Sequence, residues 1–302
     1  MTETPKAPLS SSFWTWGGVL LAGAAIVVFV VLTPPSLLRK ADYIGAAVCH
    51  RMPEHSFFIA EQQLPLCQRC TGTFNGALLG LLFQWFVLRR RRAQRFPALW
   101  IWGLMALFFM LWGLDGLNSF LASNHVQMDL AGVTLRALYE PQPWLRLLSG
   151  TLVGTSMSIA LVAAFNQTMW ADGLDEPSLR GWRDLSPLLA VELAQAGIIY
   201  LLEPWMLYPL ALYSALGVLS MFVALGAMVW VMAVGLDQRY HRWSQLWLPL
   251  LWGLVFAAVI IGGMDALRLI LTGTIDGVPT LPAATVGIST PWEPAHPGQL
   301  SP

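Results

Sequence analysis

Three cysteines, Cys49, Cys67 and Cys70, fall within 22 residues of a 302-residue chain that has no others. Two histidines, His50 and His55, lie in the same stretch. Soft thiolates with an imidazole suit tetrahedral Zn²⁺. The Cys67-Gln68-Arg69-Cys70 spacing lets both sulfurs point to one side of a tight turn. The ligand set expected from spacing is Cys49, His50, Cys67 and Cys70. His55 is the substitute for His50, because adjacent side chains diverge on most backbones. The same thiols have a second chemistry. In an oxidising compartment Cys67 and Cys70, or Cys49 with either, can form a disulfide or exchange electrons with a partner dithiol. A helix start at Cys70 and the charge of Arg69 both favour a thiolate there. A filler role accounts for one buried cysteine and fits three beside two histidines poorly.

What positions these residues is a membrane. The chain is 56% hydrophobic and only 11% charged, where a soluble domain carries roughly 25% charged residues. Mean hydropathy is +0.59. Net charge is zero, which gives no basis for a nucleic-acid partner. The expected fold class is all-α: a polytopic transmembrane helix bundle of about seven spans in contact with membrane lipids. The apolar segments are Trp14–Leu32, Thr71–Leu88, Trp100–Leu121, Leu145–Phe165, Leu185–Leu202, Tyr208–Val234 and Leu246–Leu271. The fifth carries Glu192 and Gln195 and has a re-entrant alternative closed by Glu203-Pro204. The first is expected to be a retained anchor, since Pro34-Pro35 stands where a signal peptide needs small residues.

The run Arg89, Arg90, Arg91, Arg92 and Arg95 after the second span sets the orientation. With Lys6, Arg180, Arg183, Arg239 and Arg242 it places the N-terminus in the cytoplasm. The Cys–His loop is then extracytoplasmic, with Arg39, Lys40, Arg51, Arg69 and Arg136. The chain divides into an N-terminal tail and anchor (1–44), a Cys–His loop with core spans (45–155), three further spans (156–271) and a Pro/Gly-rich tail (272–302), expected to be extended. Gly72, Gly76 and Gly80 form a smooth helix stripe for close packing and for a possible homo-oligomer.

Ionisable residues within spans are costly and face partners or cavities. Asp115 and Asn118 share a helix face, Arg146 starts the fourth span on the same side, and Asp265 and Arg268 end the seventh. One expectation is stapling, Asp115 with Arg146 and Asp265 with Arg268. The other is a polar pocket below the Cys–His loop in which Arg51, Arg69, Asn118, Arg146, Asp265 and Arg268 bind a substrate or an anionic headgroup. In that pocket Glu54 or Asp115 would be the base of a metal-assisted reaction.

Over roughly residues 45–155 the chain resembles an uncharacterised family of predicted bacterial and archaeal membrane proteins, domain of unknown function 2085. The resemblance rests on Cys49, His50, Pro53, Glu54, Ser56, Phe57, Phe58, Gln63, Pro65, Cys67, Arg69, Cys70, Thr71 and Gly72. It continues through Asp115-Gly116 and Arg146, Ser149, Gly150 and Gly154. The family often has Arg at the position of His55 and Gly near Ala60-Glu61. The resemblance implies a membrane protein and supplies no reaction.

Three functions follow as expectations: an extracytoplasmic zinc site, a membrane thiol–disulfide oxidoreductase, or a transporter or assembly scaffold. The sequence holds no P-loop, nucleophile elbow, His-Glu-x-x-His or dinucleotide fingerprint. Whether the protein is an enzyme is left open at this point.

Overall fold

A computed structural model describes residues 11–124, 128–130 and 133–277. Lys6 and the tail from residue 278 lie outside them. Six helices are long and apolar enough to cross a membrane: α1 (Ser11–Leu32), α3 (Gln68–Leu82, extended by a π-turn, Phe83–Val87), α4 (Leu99–Asn124), α5 (Pro143–Met169), α7 (Leu207–Val234) and α8 (Trp247–Thr272). Short α2 (Leu37–Ala46) follows α1, and α6 (Trp182–Tyr200) precedes α7.

The hydrogen bonds assign helix ends to two faces. On one face Asn166 of α5 donates to the carbonyls of Arg90 and Ala93, and Arg90 pairs with Asp184 of α6 at 2.9 Å. Ile101 of α4 packs against Leu179 and Leu185 there. Trp14 of α1 meets Trp230 of α7 and Trp252 of α8 edge-on. This is the arginine face. On the other face Lys40 donates to Val30 O at the end of α1, Arg69 pairs with Asp115, and Arg268 of α8 donates to Cys49 O. Ile199 of α6 packs there with Leu147 and Leu207. This is the cysteine face. Helix α6 therefore runs from one face to the other despite Arg183, Asp184 and Glu192, and the re-entrant alternative does not hold. It joins the six as a seventh helix spanning the bundle height, between Trp182 and Tyr200.

The centre is the α3–α5 pair, where backbones touch. A Cβ on Gly72 would stand 2.2 Å from Leu147 O, one on Gly150 2.1 Å from Arg69 O, and one on Gly154 2.2 Å from Thr73 O. With lipid outside, close van der Waals contact of this kind is what drives helices together. The stripe Gly72, Gly76 and Gly80 is thus covered by α5 and α6 of the same chain, which corrects the expectation that it offers a face to a second copy. The outer helices present large apolar side chains outward, among them Val31, Leu107 and Ile270, as lipid-facing surface requires.

The spans did not announce three small sheets. Strands β1 (Ser56–Ile59) and β2 (Gln62–Cys67) form an antiparallel hairpin. Strand β3 (Ala93–Arg95) pairs in parallel with β6 (Leu174–Pro177) on the arginine face. Strands β4 (Met128–Leu130) and β5 (Val133–Leu135) form a second hairpin. The β1–β2 turn holds Ala60 and Glu61 at φ 49° and 63°. That left-handed backbone is the physical reason a glycine suits this place.

Overfilling the glycine contact tests this centre. Gly154→Leu should cost about 2 kcal/mol or more of stability and lower the thermal midpoint in detergent. Gly103→Leu, where a Cβ meets nothing within 4 Å, should leave it unchanged.

Candidate metal centre

The thiols arrive from three directions. Cys49 follows α2, Cys67 ends β2 and caps α3, and Cys70 sits in the first turn of α3. Their sulfurs lie within 4.8 Å of one another, and none is in a disulfide. Tetrahedral Zn–S bonds of about 2.3 Å put sulfurs roughly 3.8 Å apart, so a small contraction would close the trio on a metal. Cys49 and Cys67 are buried against Ala211, Ala215 and Val218 of α7.

The surrounding backbone favours negative sulfur. The N–H groups of Cys67 and Arg51 both donate to Cys49 Sγ, at 3.2 and 3.4 Å. Cys67 accepts from the Cys49 and Cys70 thiols, which hold it well below the ordinary thiol range. Sharing its proton with Cys67 pushes Cys49 up to about 12, with burial adding to the shift. Three sulfurs this close carry one negative charge at most without a cation.

The imidazoles depart from the expected set. Arg51 takes a left-handed φ of 54°, and His50 faces outward while Cys49 faces inward. His50 Nε2 lies 3.3 Å from His55 Nδ1. Among the described residues the convergent group is the three thiols, without His50. Burial first, then the Arg146 guanidinium, brings His55 down to about 4, so it is neutral at pH 7.

Arginines expected to bind substrate hold the loop instead. Arg51 is 2% exposed and pairs with Asp42 at 2.7 Å and with Asp276. Arg39 joins the same two carboxylates. The bond from Arg39 keeps Asp276 below the usual carboxylate range. Arg268 donates to the carbonyls of Ala46, Cys49, His50 and Asp276. The expected Asp265–Arg268 pair is therefore absent, and Asp265 Oδ1 has no partner. The sequence marked Arg39 only as a loop charge, and it did not single out Asp42 or Asp276. Asp42 lies on the amphipathic α2, which resembles a solvated connector until its burial is seen.

The second polar group forms around α4. Asp115 pairs with Arg69, not Arg146, and accepts from Tyr139 OH at 2.8 Å. Both its oxygens are engaged, so it is a tether and not a free base. Arg146 makes no ion pair with it and reaches Ser119 Oγ and Gln68 Oε1, each at 3.3 Å. Asn118 accepts from Leu138 N–H and donates to Tyr139 O, fastening the loop before α5. Gln68 donates onward to Ser56 O, and Gln63 bridges Ser56 to Arg51 O. A cavity of about 670 Å³ opens between α4 and α5, with Asp115, Asn118, Arg136, Tyr139 and Ser149 on a wall otherwise of leucines. It lies beside α4 and includes none of the cysteines, and of the residues expected in one polar pocket it takes in Asp115 and Asn118. Glu54 is exposed in a short turn, Pro53–His55.

A hairpin and two helices thus carry a buried thiol trio above a glycine-packed helix pair. Residues 49–160 match the family described as predicted membrane protein (DUF2085). The match takes in the thiols, the glycine stripe, Asp115 and Arg146. The chain is also 40% identical over 44 residues to an uncharacterized protein of Methanocaldococcus jannaschii, MJ1492. That alignment covers 15% of this chain and 28% of the relative. No solved structure matches.

The arginine clamp predicts how well the thiols are guarded. Charged hydrogen bonds contribute about 1.5–3 kcal/mol each. Arg268→Met should therefore raise the alkylation rate of Cys49 in detergent about tenfold or more, with helix content unchanged by circular dichroism.

Proposed function

We propose that this membrane protein binds a transition metal, Zn²⁺ by ligand chemistry, through Cys49, Cys67 and Cys70 at its cysteine face. The observation that carries the reading is the convergence of three unbridged sulfurs within 4.8 Å. Two backbone N–H donors aimed at one of them support it, because such bonds favour the thiolate a metal needs. Three protein ligands leave a fourth position for water, for a substrate atom or for a histidine brought in by movement of the His50–His55 pair. A three-ligand site with an open position is the arrangement of catalytic zinc. An open position would let the metal polarise a bound group or pass to a partner. Arg89 to Arg92, Arg95, Arg180, Arg183, Arg239 and Arg242 favour a cytoplasmic arginine face, and the metal site is then extracytoplasmic.

Purified protein kept reduced should contain near-stoichiometric zinc by elemental analysis. Cys67→Ser with Cys70→Ser should remove it. Reduced protein that stays metal-free after incubation with zinc would overturn the assignment. Metal binding displaces protons that the sulfurs share, so affinity should rise with pH, by about tenfold per pH unit for each proton released. A pH-independent affinity between pH 6 and 8 would contradict thiolate ligation.

The sulfur proximity also favours a second reading, a thiol–disulfide pair. Alkylation trapping in cells separates the two, since metal-bound thiols stay reduced while a redox pair is found partly oxidised.

A further inference from the structure

Glu192 of α6 lies at the waist of the bundle, 0% exposed, and neither carboxylate oxygen has a hydrogen-bond partner. It rests on the glycine stripe of α3. Its Oε2 is 3.2 Å from where a Cβ on Gly76 would sit, and its Oε1 is 3.1 Å from the same point on Gly80. The Gly76 point is also 2.9 Å from the Thr151 carbonyl, and the Gly80 point is crowded by Ser158 Oγ. The two glycines therefore do more than let helices approach. They clear the space that the carboxyl occupies.

Polar, uncharged side chains lie along the same stretch of α3 and α5. Asn75, 1% exposed on α3, leaves both amide atoms unpaired, and Gln84, 0% exposed, leaves its Oε1 unpaired. Gln84 donates to Ser158 Oγ at 3.0 Å and to Gly80 O at 3.0 Å. From α3 and α5 no ionised side chain faces the carboxyl. The titratable group that faces it is Tyr213 of α7, which the Gln195 amide reaches within hydrogen-bonding distance. On α6 itself, Arg183 and Asp184 lie more than two turns away at the arginine face. Moving a bare carboxylate into such surroundings costs several kcal/mol even after relaxation. A compensating positive charge is required, and among the described residues no side chain pairs with the carboxyl.

A cleft stands close by. One turn beyond Glu192, Gln195 and Tyr213 line a cleft of about 250 Å³ between α6 and α7, with Ile199, Trp205, Met206 and Leu210. The cleft lies toward the cysteine face, where Met206 and Leu207 begin α7. Inward of Glu192, the Ser158–Gln84 bond continues the polar line along α3 and α5 toward the arginine face.

We propose that Glu192 is an intramembrane site for an exchangeable monovalent cation, a proton or Na⁺, reached from the cysteine face through the cleft at Gln195 and Tyr213. The site is separate from the thiol trio and does not depend on metal binding there. Its occupant neutralises the carboxyl, and with no side-chain partner holding either oxygen the occupant can leave. A carboxyl of this kind is what an ion-coupled membrane protein places in the middle of its bundle.

Dicyclohexylcarbodiimide tests it in the full-length protein in liposomes. The reagent is apolar enough to enter by the cleft. The protonated carboxyl adds across a C=N bond of the carbodiimide: its proton goes to nitrogen, its oxygen bonds to carbon, and the adduct rearranges to a stable N-acylurea with no atom lost. Mass spectrometry of peptides should find Glu192 modified in Na⁺-free buffer and no modification at that position in Glu192→Gln. Slowing by added Na⁺, relative to choline, identifies Na⁺ as the occupant. An unchanged rate identifies the proton, and both support the site. Gln195→Leu and Tyr213→Phe should each slow modification several-fold in folded protein. No modification of wild-type Glu192 would overturn the cation site, and unchanged rates in both cleft variants would overturn the route.

Discussion

The contact on which the rest of the molecule depends is the meeting of the α3 and α5 backbones. Gly72 on one helix and Gly150 and Gly154 on the other bring main-chain atoms to distances that no side chain would permit. In a bilayer the apolar effect does not favour helix on helix over helix on lipid, so intimate packing has to do that work. Because the pair is locked in register, whatever stands at the end of α3 is placed relative to the end of α5. Cys67 and Cys70 at the start of α3, and Arg146 at the start of α5, inherit their positions from glycines within about two turns of them. Glu192 inherits its pocket from the same stripe.

A second constraint acts at the cysteine face. The loop from Ala46 to Arg51 turns sharply, so its carbonyls cannot all find strand or helix partners. Arg268 supplies the missing donors from α8. Arg51 fills the buried space beneath and is neutralised by Asp42 and Asp276. The guanidinium fork suits this work because it gives several donors in a fixed plane. These arginines secure the depth at which Cys49 lies, and that depth brings it to Cys67. Charge at this face is thus largely spent on architecture, and the groups still able to react are the sulfurs and the two imidazoles.

The sequence carried the bundle well, because a helix crossing lipid has to be long and apolar and has few alternatives. The least regular segment, around Glu192, is a full-height helix. Glu192 is buried against α3, Asp184 pairs with Arg90 and Arg183 is exposed at the arginine face, so apolarity alone understated it. The thiol trio was legible from the spacing of Cys49, Cys67 and Cys70. The absence of His50 from it was not, since that depends on the left-handed turn at Arg51. Pairings were the least legible feature. Asp115 and Arg146 lie on the same face, yet Arg69 reaches Asp115 first because the glycine contact draws the start of α3 against α5. Helical periodicity tells which residues share a face and leaves open which of two arginines arrives. Asp276 pairs with Arg39 across 237 residues, and no local pattern contains such a contact.

The two candidate sites differ in the way each must be neutralised, and this argues for separate roles. At the cysteine face the excess charge would be on sulfur, close to water, beside backbone donors, where a soft divalent metal is the fitting countercharge. At the waist the charge is one carboxylate among amides and hydroxyls, where a divalent ion would be left with net positive charge in a low-dielectric setting. A monovalent cation balances it without remainder. Helix α3 touches both, with Cys70 in its first turn and Gly76 and Gly80 against Glu192. One glycine contact therefore fixes both geometries while their occupants remain independent.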